Sequence, residues 1–208
     1  MALIKIHTAP LVQEFPDLET LDEAVEYYLE QKDNFDAQTY AVDQMCQIEG
    51  GGEKLVELLI DNPFIHKDMA SYIAALLSNM DPKNAPIESV MDLLKVRNAY
   101  IRNLGITILR SYGNAIKYYI VKFLIGKDRD LRIFAINVLG DVTFAESREM
   151  LCELLEHESD INVAMTAVDY MAEIGEMGDI PLLENVKSRF NDAYVDFAID
   201  NAIRGIRG

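Results

Sequence analysis

DRDLRIFAINVLG, residues 128–140, is the stretch that decides the fold of this chain. It opens on Asp128, a residue type that favours helix N-caps. It then places Ala135, Ile136 and Leu139 at the spacing of one buried helical face, and Gly140 is typical of a turn. The stretch therefore predicts a capped amphipathic helix with a small residue in the middle of its buried face.

The buried face of this helix recurs six times along the chain, at intervals of roughly 30 residues. The small-residue column is Ala41, Ala70, Gly105, Ala135, Ala167 and Ala198. The next position is Val42, Ser71, Ile106, Ile136, Val168 and Ile199, and three residues later come Met45, Ala74, Leu109, Leu139, Met171 and Ala202. A fixed period of this length is typical of a repeat protein.

The starts of these helices keep the same register. Seven residues before each small residue stand Asn34, Pro63, Asn98, Asp128, Asp160 and Asn191. Five of the six are N-cap types, and proline suits the first turn of a helix. Because caps and core positions agree, the sequence predicts a capped first helix in every repeat.

A second helix follows the first helix in each of five repeats. The apolar residues between successive first helices recur at i, i+3 and i+4, which predicts one buried stripe per segment. The segments are Glu53 to Asp61, Ile87 to Val96, Ala115 to Ile125, Glu146 to Glu156, and Pro181 to Phe190. Glycine and proline mark the turns, and an insertion around Asn79 to Ala85 lengthens the second repeat.

The two ends of the chain differ from the repeats. Residues 1–33 predict an N-terminal arm at Ala2 to His7 and a capping helix at Leu18 to Glu30, and residues 34–208 form the predicted array. Tyr194 to Arg204 predicts a half repeat. Its isoleucines, Ile199, Ile203 and Ile206, could leave an apolar edge exposed. Both a monomer and a homodimer through this half repeat therefore remain open.

The repeats resemble the HEAT repeat family, and in particular the short bacterial and archaeal HEAT-like repeats related to those of phycobilin lyases. Residues 130–140 are similar to the family pattern D-x-V-R-x-x-A-x-x-x-L-G: Leu131 to Gly140 follow V-R-x-x-A-x-x-x-L-G, and Asp130 stands one position later than the aspartate of the pattern. Ile101-Arg102 with Gly105 and Leu109 is a weaker copy. The arginine of the pattern is replaced in the other repeats by Gln38, Lys67, Ala164 and Val195. The resemblance implies an all-α, right-handed α-α superhelix of about five helix pairs, with second helices lining the concave surface.

Composition narrows the classes of partner. The formal charge of −16 and a pI near 4.5 argue against a general affinity for nucleic acid or anionic membranes. No segment has the length of a membrane span, and the start of the sequence lacks the pattern of a secretory signal, so a cytoplasmic protein is expected.

Charge also varies along the chain. Residues 14–61 carry fourteen acids and two lysines, net −12, whereas residues 95–132 carry nine bases and two acids, net +7. Residues 141–207 return to net −10, with fifteen acids and five bases. The basic residues are interpreted either as partners of acids in adjacent repeats or as a separate contact for an anionic ligand.

One exposed i, i+4 pair is predicted on each of four second helices. The pairs are Glu53 and Glu57, Glu88 and Asp92, Tyr118 and Lys122, and Glu149 and Glu153. Because the resemblance places second helices on the concave side, these residues predict an acidic protein-binding surface with Tyr118 as its aromatic anchor. The alternative is that the acids only solvate the helices.

The sequence predicts no catalytic activity, cofactor or metal site. The three histidines fall in different repeats without a nucleophile or ligand spacing, and Cys46 and Cys152 are expected to be buried thiols. The favoured function is a non-catalytic scaffold or adaptor for a protein partner with a basic or mixed-charge segment. Two alternatives stay open, a bilin lyase-like subunit and a nucleic-acid-binding HEAT-like protein.

Overall fold

The protein was analysed as a computed structural model that describes residues 15–62, 65–142 and 144–208. Within these residues the secondary structure is helical, and it contains no strand. The α-helices are α1 (Leu21–Glu30), α2 (Phe35–Gln47), α3 (Gly51–Asp61), α4 (Lys67–Ser78), α5 (Ile87–Asp92), α6 (Ala99–Ser111), α7 (Lys117–Leu124), α8 (Arg129–Val142), α9 (Ser147–His157), α10 (Ile161–Ile174), α11 (Ile180–Phe190) and α12 (Ala193–Arg207). The prediction of an all-α array of helix pairs is confirmed.

The chain divides into two compact units, and the boundary falls between Leu55 and Val56, inside α3. The predicted division between residues 33 and 34 separates a cap from the repeats and stays a prediction. The predicted arm at Ala2 to His7 lies outside the described residues, as do Pro63 and Thr143.

In the first unit, α1 packs against α2. Thr20 and Glu23 form a capping box, so α1 begins at Leu21, three residues later than expected. The Tyr40 hydroxyl donates to the Pro16 carbonyl over 2.8 Å, and the Tyr40 ring stacks on Phe15. These contacts hold the segment before α1 against α2.

In the second unit, the first helices of successive repeats pack against one another in the order α4, α6, α8, α10 and α12. The second helices α5, α7, α9 and α11 alternate with them along the chain. Short 3₁₀ turns extend three of them, at Leu93–Lys95, Gly113–Ile116 and Met177–Asp179. This alternation agrees with the helix pairs expected from the sequence.

The small-residue column is buried along most of its length. Ala70, Ala135 and Ala167 are fully buried. A Cβ at Gly105 would lie 2.8 Å from the Cβ of Leu93, so no larger residue fits there without a shift. Ala198 is only half-buried, because α12 packs on one first helix, α10, within the described residues.

Two of the predicted caps are wrong. α4 begins at Lys67 with His66 as N-cap, whose Nδ1 accepts from the Asp68 N–H, so the helix starts later than Pro63 implied. α12 is capped by Asp192, because Asn191 adopts the left-handed conformation with φ 47° and ends α11. Asparagine suits both roles, so its identity alone does not separate a helix start from a helix end.

The arginine of the repeat pattern ties two of the first helices, α6 and α8, to the loops before them. Arg132 donates to the Gly126 carbonyl over 2.9 Å. Arg102, at the equivalent position, donates to the carbonyls of Val96 and Arg97 over 2.8 Å each. The weaker copy of the pattern therefore makes the same kind of contact as the stronger one.

Gly140 was expected in a turn but lies inside α8, which continues to Val142. A Cβ at this position would fall 1.7 Å from Cε1 of Tyr170, so the glycine makes room for this ring of α10. We expect Gly140→Ala to lower the free energy of unfolding by about 1–2 kcal/mol, because overpacking outweighs the gain in helix propensity. Chemical denaturation measures the change. Gly178→Ala, which meets open space, is the matched control, and equal stability of the two variants would contradict the packing role.

The predicted apolar edge of the half repeat is also wrong, because Ile199 and Ile203 are buried. The large exposed residues of α12 are instead Tyr194 and Phe197, at 60% and 66% exposure. They border a groove of about 240 Å³ against α10. The helix turns its isoleucines toward α10 and α11, since both helices pack against α12.

Homodimerisation through α12 stays a prediction, and a substitution of the exposed Phe197 can test it. If two copies pair through this face, the wild type reaches twice the 23.5 kDa chain mass at high concentration, and Phe197→Glu keeps the single-chain mass because a buried carboxylate opposes pairing. Light scattering after size exclusion, over a range of concentrations, measures the mass. A wild type that stays at 23.5 kDa throughout would remove the dimer.

Candidate protein-binding surface

All eight residues of the predicted site lie on second helices. Glu53 and Glu57 are on α3, and the remaining pairs are on α5, α7 and α9. Seven are exposed, whereas Asp92 is half-buried and pairs with Lys95. Glu53 belongs to the first unit and the other seven to the second. We use the name second-helix surface for the exposed faces of α5, α7 and α9.

The structure joins three of the predicted residues in one cluster. The Lys122 ammonium lies 3.5 Å from Glu88 Oε1, across from α7 to α5. The same ammonium lies 5.3 Å from the Tyr118 ring centroid and 5.8 Å from that of Tyr119. An exposed cation–π contact contributes about 0.5–1 kcal/mol, so the cluster orders the Tyr118 ring on the surface.

The exposed side of α7 is unusually apolar. Tyr118 and Val121 are 71% and 38% exposed, and Ile125, the C-cap residue just after α7, is 79% exposed. The three residues have the i, i+3, i+7 spacing of one helical face. We call these three residues the α7 stripe. Sequence reasoning missed Val121 and Ile125, because Ile120 and Leu124 form a second apolar face on the same helix, and only burial separates the two. The sequence did contain one indication of this exposed apolar face, because the α7 segment is apolar on two sides and one helix face usually remains in solvent.

A hollow of about 430 Å³ lies beside the α7 stripe, between α7 and α9. Its apolar walls include Val121 and Ile125 from the stripe, and Met150 and Leu154 from α9. Glu153, one of the predicted site residues, lines the hollow and is exposed. Within residues 15–62, 65–142 and 144–208, Glu153 has no ion-pair partner. The hollow thus continues the second-helix surface from α7 to α9.

An ion pair forms part of the lining of the hollow. Arg132 Nε donates to Glu158 Oε2 over 2.8 Å, and Nη2 donates to Oε1 over 3.2 Å, with side chains 14% and 6% exposed. Glu158 Oε1 also accepts the N–H groups of Ser159 and Asp160. Arg189 donates to the Glu158 carbonyl over 2.6 Å. These polar groups satisfy one another, which leaves the apolar walls to meet a ligand.

A second ion pair joins the starts of α9 and α11. Arg148 donates to both carboxylate oxygens of Asp179, over 2.7 and 2.8 Å, and the Glu176 N–H donates to Oδ2 over 2.7 Å. Burial by itself raises the pKa of Asp179, but these hydrogen bonds lower it below its usual value. Cys152 lies 3.6 Å from Asp179; burial, together with this negative charge, raises the thiol pKa to about 11.

Protonation of the Asp179 carboxylate is expected to lower the stability of the fold in acid. Its pKa is lower in the folded state, so the carboxylate stabilises the fold above its unfolded pKa, and this contribution disappears as pH falls through the folded pKa. We expect Asp179→Asn to reduce the difference in unfolding free energy between pH 6 and pH 3. Urea titrations at both pH values measure it. Glu184→Gln, on the exposed side of α11, is the control, and the same pH dependence in wild type and Asp179→Asn would refute the assignment.

Several of the nine basic residues between positions 95 and 132, here called the basic cluster, pair with acids from other parts of the array. Lys122 pairs with Glu88 and Arg132 with Glu158. Arg110 lies 3.4 Å from Asp141, and Lys117 reaches Glu146 over 2.5 Å. The interpretation that basic residues pair with acids of other repeats therefore holds for these four residues. Their ion pairs leave less unpaired positive charge than the count of basic residues suggests.

Residues 15–62, 65–142 and 144–208 contain neither a metal site nor a membrane-spanning helix. No group of histidine, cysteine and acidic residues there has an arrangement that could hold a metal ion. None of the described helices is long and apolar enough to cross a membrane. Both cysteines are half-buried rather than fully buried, and neither forms a disulfide.

The repeats match a known family. The family of HEAT repeats matches residues 119–199. This range includes α8, α9, α10 and α11, most of α7, and the first half of α12. No curated protein matches the sequence. The helix pairs within this range are therefore similar to HEAT repeats, helical units that generally mediate protein interactions. The match spans 81 of the 208 residues, so the similarity to HEAT repeats is a property of this part of the chain.

Solved structures of engineered repeat proteins overlap with the chain only loosely. Two engineered proteins of the Northeast Structural Genomics Consortium share 18% and 21% identity with it, at TM-scores of 0.42 and 0.41. The first match covers 90% of this chain and 96% of the other, and the second covers 91% and 99%. A designed armadillo repeat protein shares 14% identity, with a TM-score of 0.39 and coverage of 90% and 100%. Overlaps of this quality carry no argument about function.

Proposed function

We propose that this chain is a non-catalytic scaffold that binds a protein partner on its second-helix surface. The observation that carries the proposal is the α7 stripe, an exposed aromatic and aliphatic row with carboxylates on both sides. Glu88 lies on the α5 side, and Glu149 and Glu153 lie on the α9 side. An apolar centre with a polar rim is the usual anatomy of a protein-binding surface.

The charges of the chain indicate the kind of partner. A net charge of −16 attracts basic proteins over a long range and repels acidic ones. Exposed carboxylates around the stripe speed the approach of a basic or mixed-charge segment, and burial of Tyr118 supplies affinity. The ion pairs of the basic cluster reduce the charge available to phosphate groups, which favours a protein partner over a nucleic acid.

Affinity capture tests the proposal. The wild type and the variant Glu88→Lys/Glu149→Lys/Glu153→Lys, with all three changes at exposed positions of the second-helix surface, are used as baits. Any stoichiometric partner is purified and titrated against both. We expect a partner that binds the wild type, weakens with salt, and loses about tenfold or more in affinity for the variant. The partner surface is expected to carry clustered lysine or arginine.

A charge-matched bait controls for the change in net charge. It carries three reversals at exposed positions outside the second helices: Glu30→Lys, Glu173→Lys and Asp196→Lys. Binding should survive in this control. An equal loss of affinity in both triple variants would mean that net charge alone causes the effect. Equal binding by all three baits would refute the second-helix surface as the binding site. Enzymatic turnover by the purified chain would refute the non-catalytic assignment.

A further inference from the structure

The hollow between α7 and α9 differs in chemistry from the acidic surface around it. Its lining includes the aliphatic side chains of Val121, Ile125, Met150 and Leu154. Of its polar residues, Arg132 and Glu158 pair with each other, and Glu153, His157 and Ser159 are exposed. A ligand that enters it gains by burying apolar surface rather than by satisfying a polar group. The occupant must therefore present an apolar group at this point.

The surroundings of the hollow require more than a small apolar molecule. The α7 stripe leads from Ile125 to Tyr118 over seven residues, about 10 Å along a helix axis. This length is that of two turns of a bound helix, which presents apolar residues at i, i+3 or i+4, and i+7. The row and the hollow share Val121 and Ile125, so one apolar face can cover both.

Charge complementarity defines the rest of the occupant. Glu153 stands at the hollow with no ion-pair partner in the described part of the chain, and Glu156 follows it on α9, exposed. A lysine or arginine next to the apolar anchor of the ligand would pair with Glu153. An acidic ligand would place like charges together at a cost.

We propose that this hollow receives an apolar side chain from a basic amphipathic helix of the protein partner, with the flanking cation of that helix bound by Glu153. Tyr118 and Val121 then cover the next turn of the same apolar face. The inference rests on the proposed function, since it names the segment that the second-helix surface accepts. It adds that shape and apolar contact, as well as charge, select the partner.

A synthetic peptide tests the inference without knowledge of the natural partner. The probe is a fluorescein-labelled 14-residue helix of leucine and lysine, with its leucines on one face. A second peptide has the same lysines and glutamine in place of every leucine, and a third has the leucines and lysines in scrambled order. Fluorescence anisotropy at moderate salt measures binding to the full chain. We expect the amphipathic probe to bind about tenfold or more tightly than either control peptide.

Variants of the hollow complete the test. Ile125→Ser with Met150→Ser, and separately Glu153→Lys, should each weaken the amphipathic probe about tenfold, whereas Met177→Ser and Glu30→Lys, at exposed positions elsewhere, should not. Thermal unfolding confirms that every variant is folded. Nile red emission, recorded in parallel, reports occupation of the hollow by a small apolar molecule.

The outcomes separate the inference from the function on which it rests. Equal binding of the amphipathic and glutamine peptides would refute the hollow as a binding site for an apolar side chain. The surface would then select its partner by charge alone. Unchanged binding to the serine variant, or no peptide binding at all, would also overturn the inference, while affinity capture decides the scaffold separately. If Nile red binds in the hollow but the peptide does not, the ligand of the hollow is a small apolar molecule rather than a helix, and the inference is likewise overturned.

Discussion

Glu158→Ala is expected to lower the free energy of unfolding by about 3–5 kcal/mol, the largest effect of any single substitution considered for this chain. The change leaves the Arg132 guanidinium, 14% exposed, without its carboxylate partner. It also removes the acceptor of the Ser159 and Asp160 N–H groups, at the turn before α10. Guanidinium denaturation with helical circular dichroism measures the loss.

Two further variants identify the cause of that loss. Glu156→Ala, two residues earlier and exposed, should change stability by no more than about 0.5 kcal/mol. Arg132→Ala/Glu158→Ala should cost less than the sum of the two single changes, by about 0.5–3 kcal/mol, because the second substitution removes a charge that the first left unpaired. Strict additivity would mean that the two side chains do not stabilise each other.

Ala167→Leu is expected to destabilise the protein by about 1–3 kcal/mol. Ala167 is fully buried in α10, and α10 packs between α8 and α12. A leucine there forces two first helices apart or takes a strained rotamer, because packed interiors have little free volume. The melting temperature and the unfolding free energy measure the effect.

Ala198→Leu is the matched control, since it makes the same change at the same repeat position. Ala198 is half-buried on α12, beside the groove against α10, and a leucine can extend into that groove. Its effect should stay within about 0.5 kcal/mol. A melting temperature for Ala167→Leu equal to that of the wild type would show that the small-residue column does not mark the helix crossings.

The repeat architecture was predictable because local and periodic signals agree. N-caps such as Asn34, Asn98 and Asp160 act on backbone groups two or three residues away, so sequence alone places them. The column from Ala41 to Ala167 is set by the spacing of one buried face, which is a helical property. The predictions failed at Asn191, a residue type that suits the start and the end of a helix alike. They also failed at Gly140, where the Tyr170 ring of α10 occupies the space of a side chain.

The candidate surface was predicted only in part. The i, i+4 rule placed Glu88, Tyr118 and Lys122 on exposed second-helix faces, where the structure joins them. It gave no reason to include Val121 or Ile125, because a helix with two apolar faces does not reveal which face is buried. The partners of Arg132 and Arg148 lie 26 and 31 residues away, so no local rule pairs them.

By itself, the sequence determined the helical class, the repeat period and most helix starts, because these depend on interactions within a few residues. The tertiary structure alone decided that Ile125 is exposed while Leu124 is buried, and that a hollow separates α7 from α9. It also decided that Glu158 is the partner of Arg132. The physical reason is that burial and ion pairing depend on which helices meet, and that choice is made by the packing of the whole array rather than by any one segment.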